Sequence, residues 1–131
     1  MKIIKIFCML LLISCSKQKY MITSNKIGEF ILGNKLDNKY DLKNFDIKTD
    51  DNNKITSIIC KSKRYKTNDG YGVGTDINLI KKKNDFSESK ITLSKESQEI
   101  GDFGNVYIYN NIAFIDVNLD SIVDFVWIEK K

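Results

Sequence analysis

The sequence predicts an α+β domain in which short helices pack on antiparallel β-meanders. Three observations support this prediction: β-rich runs with alternating side chains near the C-terminus, two glycine-bounded segments that each precede a short helical pattern, and a length of 131 residues, which suits one domain. We expect that domain to cover residues 27–131.

The best-defined predicted element is a three-stranded meander at the C-terminal end. Val106–Tyr109 and Ile112–Val117 are rich in strand-forming residues, and the two asparagines between them tolerate the positive φ that a two-residue hairpin turn requires. Because side chains alternate along a strand, this hairpin has an aromatic face and an aliphatic face. The aromatic face consists of Tyr107, Tyr109, Ile112 and Phe114. The aliphatic face consists of Val106, Ile108, Ala113, Ile115 and Val117.

The third strand of the meander is predicted at Ser121–Glu129. Its alternating Val123, Phe125 and Trp127 are expected to join the aliphatic face. Because the side-chain period of a strand is two, this assignment depends on the register of the third strand, and a slip of one residue would reverse it.

Two short helices are predicted upstream of the hairpins. Residues 28–33 precede a helical pattern at Asn34–Tyr40. Residues 70–74 precede a second pattern at Thr75–Lys83, for which Thr75 is the predicted N-cap.

A hairpin formed by residues 45–47 and 54–61 resembles the end of the C-terminal meander. In the alignment of the two, Ile55, Ile58 and Ile59 correspond to Ile122, Phe125 and Val126. Two interpretations stay open. One is a tandem duplication of helix-plus-hairpin units with half-repeats at 27–63 and 70–131, and the other is chance similarity between short hairpins in a chain rich in Ile, Asn and Lys.

The N-terminal residues predict export. Met1–Ser14 combines two lysines with an apolar run that is too short for a membrane-spanning helix, which needs about 20 residues, and that is typical of a secretory signal peptide. The following polar residues, up to Lys26, have no periodicity and are predicted to form a tether.

The sequence Leu12-Ile13-Ser14-Cys15 resembles the lipobox of bacterial lipoproteins. The resemblance implies cleavage before Cys15 and attachment of diacylglycerol to its thiol, together with a further acyl chain such as palmitate on the new amino group. Ser16, in place of an acidic residue, implies sorting to the outer membrane of a Gram-negative cell, where the protein would face the periplasm. An ordinary signal peptide that precedes an unmodified Cys15 is the alternative.

Composition excludes several kinds of active site and partner. The chain has no His, so His-based triads and imidazole metal sites are excluded. Cys8 would leave with the signal peptide and Cys15 would carry lipid, so Cys60 has no disulfide partner and is predicted to be a buried, inert thiol. The net charge of +4 falls further when the lysines of the signal are removed, which argues against nucleic acid as a partner. We therefore predict a non-enzymatic protein with no catalytic residues, metal or cofactor.

Two groups of side chains are candidates for binding a partner. Tyr is enriched in interface hot spots, so the aromatic face (Tyr107, Tyr109, Ile112 and Phe114) is the first candidate. Its alternative role is as core covered by the predicted helices. The second candidate is Arg64 with Tyr65, since Arg64 is the only arginine of the chain.

These features predict a membrane-anchored envelope lipoprotein that acts as a non-catalytic protein-binding module, most simply as an inhibitor or immunity protein. Its partner would be an envelope or secreted protein. Leu32-Gly33 and Val73-Gly74, each before a helical pattern, resemble the BamE-related assembly lipoproteins and the β-lactamase-inhibitor-protein-like fold. That resemblance implies an outer-membrane assembly or structural lipoprotein as the alternative function, and a small carboxylate-based hydrolase is the third.

The lipid anchor gives a direct prediction. Replacing Cys15 with Ala removes the only acylation site of the lipobox, so we expect the variant to lose both metabolic labelling with palmitate and recovery in the membrane fraction. Replacing Cys60 with Ala is the matched control and should leave both measurements unchanged. Persistent labelling of the Cys15→Ala variant would contradict the lipobox interpretation.

Overall fold

A six-stranded antiparallel sheet dominates the fold. The computed structural model describes residues 19–83, 87–91 and 104–131. The predicted signal peptide, Cys15 and the first part of the predicted tether lie outside the described residues. The elements are β1 (Lys26–Ile27), β2 (Phe30–Ile31), β3 (Phe45–Thr49), β4 (Ile55–Cys60), α1 (Ile77–Lys83), β5 (Ser87–Ile91), β6 (Gly104–Tyr109), β7 (Ile112–Asp116) and β8 (Phe125–Glu129).

The order of strands in the large sheet is β3-β4-β8-β7-β6-β5. Every neighbouring pair is antiparallel. The chain leaves β4, passes through α1 and the strands β5, β6 and β7, and returns as β8 beside β4. The short strands β1 and β2 form a separate two-stranded hairpin.

The prediction of an α+β fold with several short helices is wrong. In the described part of the chain the fold is β-rich, with one short α-helix, α1, of 7 residues. The helix predicted at Asn34–Tyr40 is absent, since this segment forms turns. The carboxylate of Asp37 accepts a hydrogen bond from the backbone N–H of Lys39 (3.1 Å). The N–H of Leu36 donates a hydrogen bond to the carbonyl oxygen of Asn53 (3.0 Å). Aspartate side chains that bind nearby N–H groups compete with helix formation, which is what happens here.

The predicted C-terminal hairpin is confirmed. Tyr109 pairs with Ile112, and both turn residues have positive φ, 51° for Asn110 and 60° for Asn111. These values are those of the mirror-image turn that matches the twist of two-residue hairpins.

The third strand of the meander is confirmed only in part. Phe125 and Trp127 pair with Ile115 and Ala113, so they do share the aliphatic face. Val123 lies before β8 and is buried in the main core instead.

A fixed shift of 68 positions along the chain relates β4 to β8. It maps three buried apolar positions on and before β4 onto three on and before β8, and all six side chains are at most 2% exposed. The pairs are Ile55 with Val123, Ile58 with Val126, and Cys60 with Ile128. The alignment made from the sequence was one residue out of this register.

Two similar turns precede the hairpins, although their glycines, Gly33 and Gly74, are 41 positions apart in the chain and so do not follow this shift. Gly33 donates its N–H to the carbonyl oxygen of Ile55 (2.7 Å), and Gly74 donates its N–H to that of Val123 (2.8 Å). Both glycines have nearly identical positive φ, 87° and 88°, which glycine adopts without steric cost.

The pairing of β4 with β8 is itself symmetric. Ile58 pairs with Ile128, Cys60 pairs with Val126, and the shift exchanges these two pairs. Ile59 and Trp127 pair with each other, so they lie on an approximate twofold axis between the hairpins β3-β4 and β7-β8. This geometry is what a tandem duplication would produce.

The main core lies between one face of the sheet and the segments that cross it, which are the β1-β2 hairpin, the turn before α1, and α1. Its large buried side chains include Ile22, Phe30, Ile58, Ile77, Ile80, Phe114 and Val126. Ile22, which the sequence placed in the tether, is only 2% exposed and donates its N–H to the carbonyl oxygen of Lys66 (2.8 Å). Across 19–83, 87–91 and 104–131, no helix combines the length and apolar character that crossing a bilayer requires.

The close approach of two backbone segments at Gly72 gives a stability prediction. A Cβ atom at Gly72 would lie 2.3 Å from the carbonyl oxygen of Tyr65. We expect Gly72→Ala to lower the free energy of unfolding by about 3 kcal/mol, at the upper end of overpacking effects. Gly70→Asn is the control, because nothing lies within 4 Å there and Asn tolerates the positive φ. Urea titrations should show a clear loss for the first variant only, and equal midpoints for the two would contradict the packing described.

Candidate functional site

The candidate site lies on the face of the sheet that is turned away from the main core. This face, which we call the open face because Ile108 and Trp127 on it stay partly exposed, carries the aliphatic side of the β6-β7 hairpin and the aromatic rings of β8. These side chains form a second, smaller apolar cluster, in which Val106, Ala113 and Ile115 are buried. Its members are Val106, Ala113, Ile115, Val117, Phe125 and Trp127. Strict alternation along β6, β7 and β8 places them there, because alternate side chains point to opposite faces.

A groove of about 320 Å³ opens on this face beside Trp127. Val106 and Ala113 line it but are buried, at 1% and 9% exposure, so the apolar surface that a partner can reach is that of half-buried Trp127 and of Ile108, which is 39% exposed. Its polar border contains Asn111, Glu129 and Lys131, and the Lys131 ammonium donates a hydrogen bond to the side-chain oxygen of Asn111. An apolar centre with a polar rim is the usual anatomy of a protein–protein interface.

Trp127 is held in place by a hydrogen bond that crosses between two strands. Its indole Nε1 donates to Oγ of Ser57 on β4 at 3.0 Å, and Ser57 is itself 7% exposed. The polar atom of the ring is therefore satisfied within the protein. What the half-buried indole presents to the groove is apolar ring surface, and Trp is among the residues most enriched in binding hot spots.

The aromatic face predicted from the sequence to bind a partner is part of the main core. Tyr107, Ile112 and Phe114 are at most 8% exposed, and Tyr109 is half-buried at the edge of the same cluster. Tyr71 packs edge-on against this face, with its ring centroid 6.4 Å from those of Tyr109 and Phe114. Packing accounts for all four side chains, which is the alternative that the sequence left open.

Arg64 and Tyr65, the second candidate, do lie at the surface, away from the groove. The Arg64 guanidinium carbon is 4.4 Å from the ring centroid of Tyr20, and the rings of Tyr20 and Tyr65 meet edge-on at 5.5 Å. Burial raises the pKa of Tyr65. Lys19 adds a second cation 5.7 Å from the Tyr20 centroid. We call Lys19, Tyr20, Arg64 and Tyr65 the basic-aromatic cluster.

A group of carboxylates that the sequence analysis missed organises the turn between β7 and β8. Side-chain oxygens of Asp116, Asp120 and Asp124 lie within 4.8 Å of one another, and Asp116 is 1% exposed. Asp116 accepts hydrogen bonds from the N–H groups of Asp120 (3.3 Å) and Ser121 (2.8 Å), while Asp124 accepts one from Val117 (2.8 Å). The alternation of acidic and amide residues from position 116 to 120 was the available signal. These bonds stabilise a turn that contains two residues with positive φ, Leu119 and Ser121.

Cys60 lies in the main core and is 0% exposed, with its Sγ 3.6 Å from the carbonyl oxygen of Ser62. Burial raises the pKa of its thiol from 9.0 to about 11. At neutral pH this shift lowers the fraction of thiolate about a hundredfold relative to an exposed thiol. Because the thiolate is the reactive form, the thiol of Cys60 is expected to react slowly.

A labelling experiment tests this assignment of Cys60. Because the pKa is raised, alkylation of the folded protein by iodoacetamide should be slow at neutral pH and should keep increasing as the pH rises from 9.0 towards about 11. Peptide mass spectrometry would measure the rate at Cys60, with the urea-unfolded protein as the control that reacts normally. Rapid labelling of the folded protein at neutral pH would show that the thiol is accessible and reactive.

The comparisons with known proteins do not identify the chain: no protein-family model, curated protein or solved structure matches it.

Proposed function

We propose that this protein is a lipid-anchored protein of the cell envelope whose domain binds a partner protein through the groove beside Trp127, without catalysis. The role we favour is inhibitory: an immunity protein that occludes an envelope-directed toxin. The observation that supports it is an apolar groove with a polar border on the open face of the sheet.

The chemistry of the groove favours binding over catalysis. Its lining in the described structure offers no hydroxyl or thiol nucleophile, and the chain has no His to act as a general base. It does offer Ile108, which is 39% exposed, next to a fixed indole. Full burial of an exposed aliphatic side chain is worth about 1.5–3 kcal/mol, so covering the exposed part of Ile108 contributes about 1 kcal/mol.

The size of the groove indicates what kind of group fits it. About 320 Å³ accommodates a large apolar side chain of a partner together with its neighbours. The Lys131 ammonium and the Asn111 amide at the border are placed to donate hydrogen bonds to backbone carbonyl groups beside that side chain. We therefore propose a folded partner protein that inserts one apolar side chain beside Trp127.

The N-terminal sequence supports the location. The lipobox residues from Leu12 to Cys15 lie outside the described residues, so their role is a proposal from the sequence alone. A diacylated or triacylated Cys15 would anchor the domain stably, because two or more chains are needed for firm attachment. The partner would then be met at the membrane surface outside the cytoplasm.

The groove is tested by a charge placed in it. We expect Ile108→Glu to weaken binding to a partner recovered from envelope extract by at least about tenfold, as for a hot-spot position. Ile31→Glu is the matched control, because Ile31 on β2 is 36% exposed but lies outside the groove. Affinities should be measured by calorimetry with variants whose unfolding midpoints match that of the original protein.

The inhibitory role needs its own measurement. Export of the recovered partner to the periplasm should arrest growth, and co-expression of the original chain or of Ile31→Glu should restore it, whereas Ile108→Glu should not. Equal affinity of the two variants would refute the groove as the binding site. A partner that does not arrest growth would refute the inhibitory role while leaving the binding result intact.

A further inference from the structure

The basic-aromatic cluster lies where the described chain begins. The carbonyl oxygen of Tyr20 accepts a hydrogen bond from the N–H of Lys66 (3.0 Å), and Met21 forms a bridge with Lys66. The cluster is therefore attached to the domain by backbone hydrogen bonds as well as by ring contacts. Tyr65 continues it into the core, since its ring meets that of Phe45 edge-on at 5.2 Å.

The distance from this cluster to the proposed lipid is limited by the length of the chain. Cys15 precedes Tyr20 by five positions, and even a fully extended chain of that length spans at most about 18 Å. A bilayer that holds the acyl chains of Cys15 therefore lies close to the cluster, whatever path the intervening residues take.

The charge of this surface suits an anionic bilayer. Lys19, Lys63 and Arg64 are exposed, and none of the three forms a salt bridge among the described residues. Two carboxylates, Glu29 and Asp41, line a small cleft beside Lys19, but they do not pair with these cations. The positive groups therefore remain available to phosphate groups outside the protein.

The aromatic rings suit the same environment. Tyrosine is enriched at membrane–water interfaces, where its ring lies at the level of the headgroups and its hydroxyl remains hydrated. Tyr20 and Tyr65 are both only partly buried, and Arg64 is stacked on the Tyr20 ring at 4.4 Å. The stacking holds the guanidinium beside the ring, so cation and aromatic group are presented together.

We propose that the surface formed by the basic-aromatic cluster rests on the anionic phospholipid headgroups of the membrane, with Lys63, next to Arg64 in the chain, as an additional exposed cation. The proposal deepens the proposed function and rests on it in one respect, namely that acylated Cys15 brings the surface to the bilayer. Each basic side chain near an anionic bilayer strengthens attachment about fivefold, within a screening distance of about 8 Å at physiological salt. The surface thus supplies a second membrane contact and fixes the orientation of the domain.

Nitration of tyrosines tests this contact. The native product of the full chain is mixed with vesicles of phosphatidylcholine alone, or of phosphatidylcholine with phosphatidylglycerol, and nitration at each tyrosine is measured by peptide mass spectrometry. We expect the nitration rates of Tyr20 and Tyr65 to fall at least about fivefold with anionic vesicles relative to neutral ones, as expected for one basic contact or more. Tyr109, which is half-buried at the end of β6, is the internal control and should not change.

Charge reversal gives the second measurement. The variant Arg64→Glu, which reverses one charge of the cluster, should lose most of the protection by anionic vesicles. Lys82→Glu is the matched control, because this exposed lysine lies on α1, far from the cluster. The adjacent Lys81 contacts the ring of Tyr107 on β6, and β6 lies towards the opposite end of the sheet from β3, which carries Phe45. The control variant should keep the protection.

The outcomes separate this proposal from the lipid anchor. The intact mass of the same sample reports whether Cys15 carries acyl chains. The absence of acyl chains would refute the lipid anchor alone, because the anionic vesicles still test the surface directly. Equal nitration of Tyr20 and Tyr65 with both kinds of vesicle would overturn the bilayer contact, as would protection that survives charge reversal. Protection by a partner protein in place of anionic vesicles would assign Arg64 and Tyr65 to a protein interface.

Discussion

The pairing of β4 with β8 is the interaction on which the rest of the structure depends. Four residue pairs, from Ser57 with Glu129 to Cys60 with Val126, join the hairpin β3-β4 to the four strands of the other half. In the order of the described sheet, no other strand pair connects these two parts. The buried side chains at this junction, Ile58, Cys60, Val126 and Ile128, are at most 1% exposed, so the junction is sealed by packing as well as by backbone hydrogen bonds.

The same junction positions the proposed binding site. The approximate twofold axis passes between Ile59 and Trp127, and the indole of Trp127 donates to Ser57 across the two strands. The apolar wall of the groove is therefore built on the most central part of the sheet. A site on rigid strands holds its geometry better than a site on loops, which suits a surface that must present one fixed ring to a partner.

Local signals in the sequence predicted the local elements of the fold. The two asparagines of the β6-β7 turn carry the whole register of that hairpin, because a two-residue turn leaves no choice of pairing. The helix predicted at Thr75–Lys83 is also confirmed, with a start two residues later, since α1 covers Ile77–Lys83. The helix predicted at Asn34–Tyr40 failed because its glycine-bounded start resembles that of α1, while Asp37 within it binds the backbone N–H of Lys39.

Features that depend on distant parts of the chain could not be predicted in this way. Both faces of the β6-β7 hairpin are apolar, so alternation identifies two faces without showing which one is covered. Tyr71 and α1 decide that, and neither is near the hairpin in sequence. Arg64 and Tyr65 were singled out, but Tyr20 was not, because its segment has no periodicity and is fixed by contacts with residues distant in sequence, such as the hydrogen bond from the N–H of Lys66. The return of β8 to β4 has no local signal at all.

The two proposed contacts are compatible because they lie on opposite sides of the sheet. Tyr65 packs against Phe45, whose ring belongs to the main core, so the basic-aromatic cluster is on the core side. The groove is on the open face, formed by side chains that alternate with those of the core. A domain that rests on the bilayer through the cluster therefore keeps the groove clear of the headgroups. If Cys15 is acylated as proposed, the short chain to it would limit how far the domain turns, and the proposed membrane contact would favour orientations in which a partner outside the cytoplasm reaches Trp127.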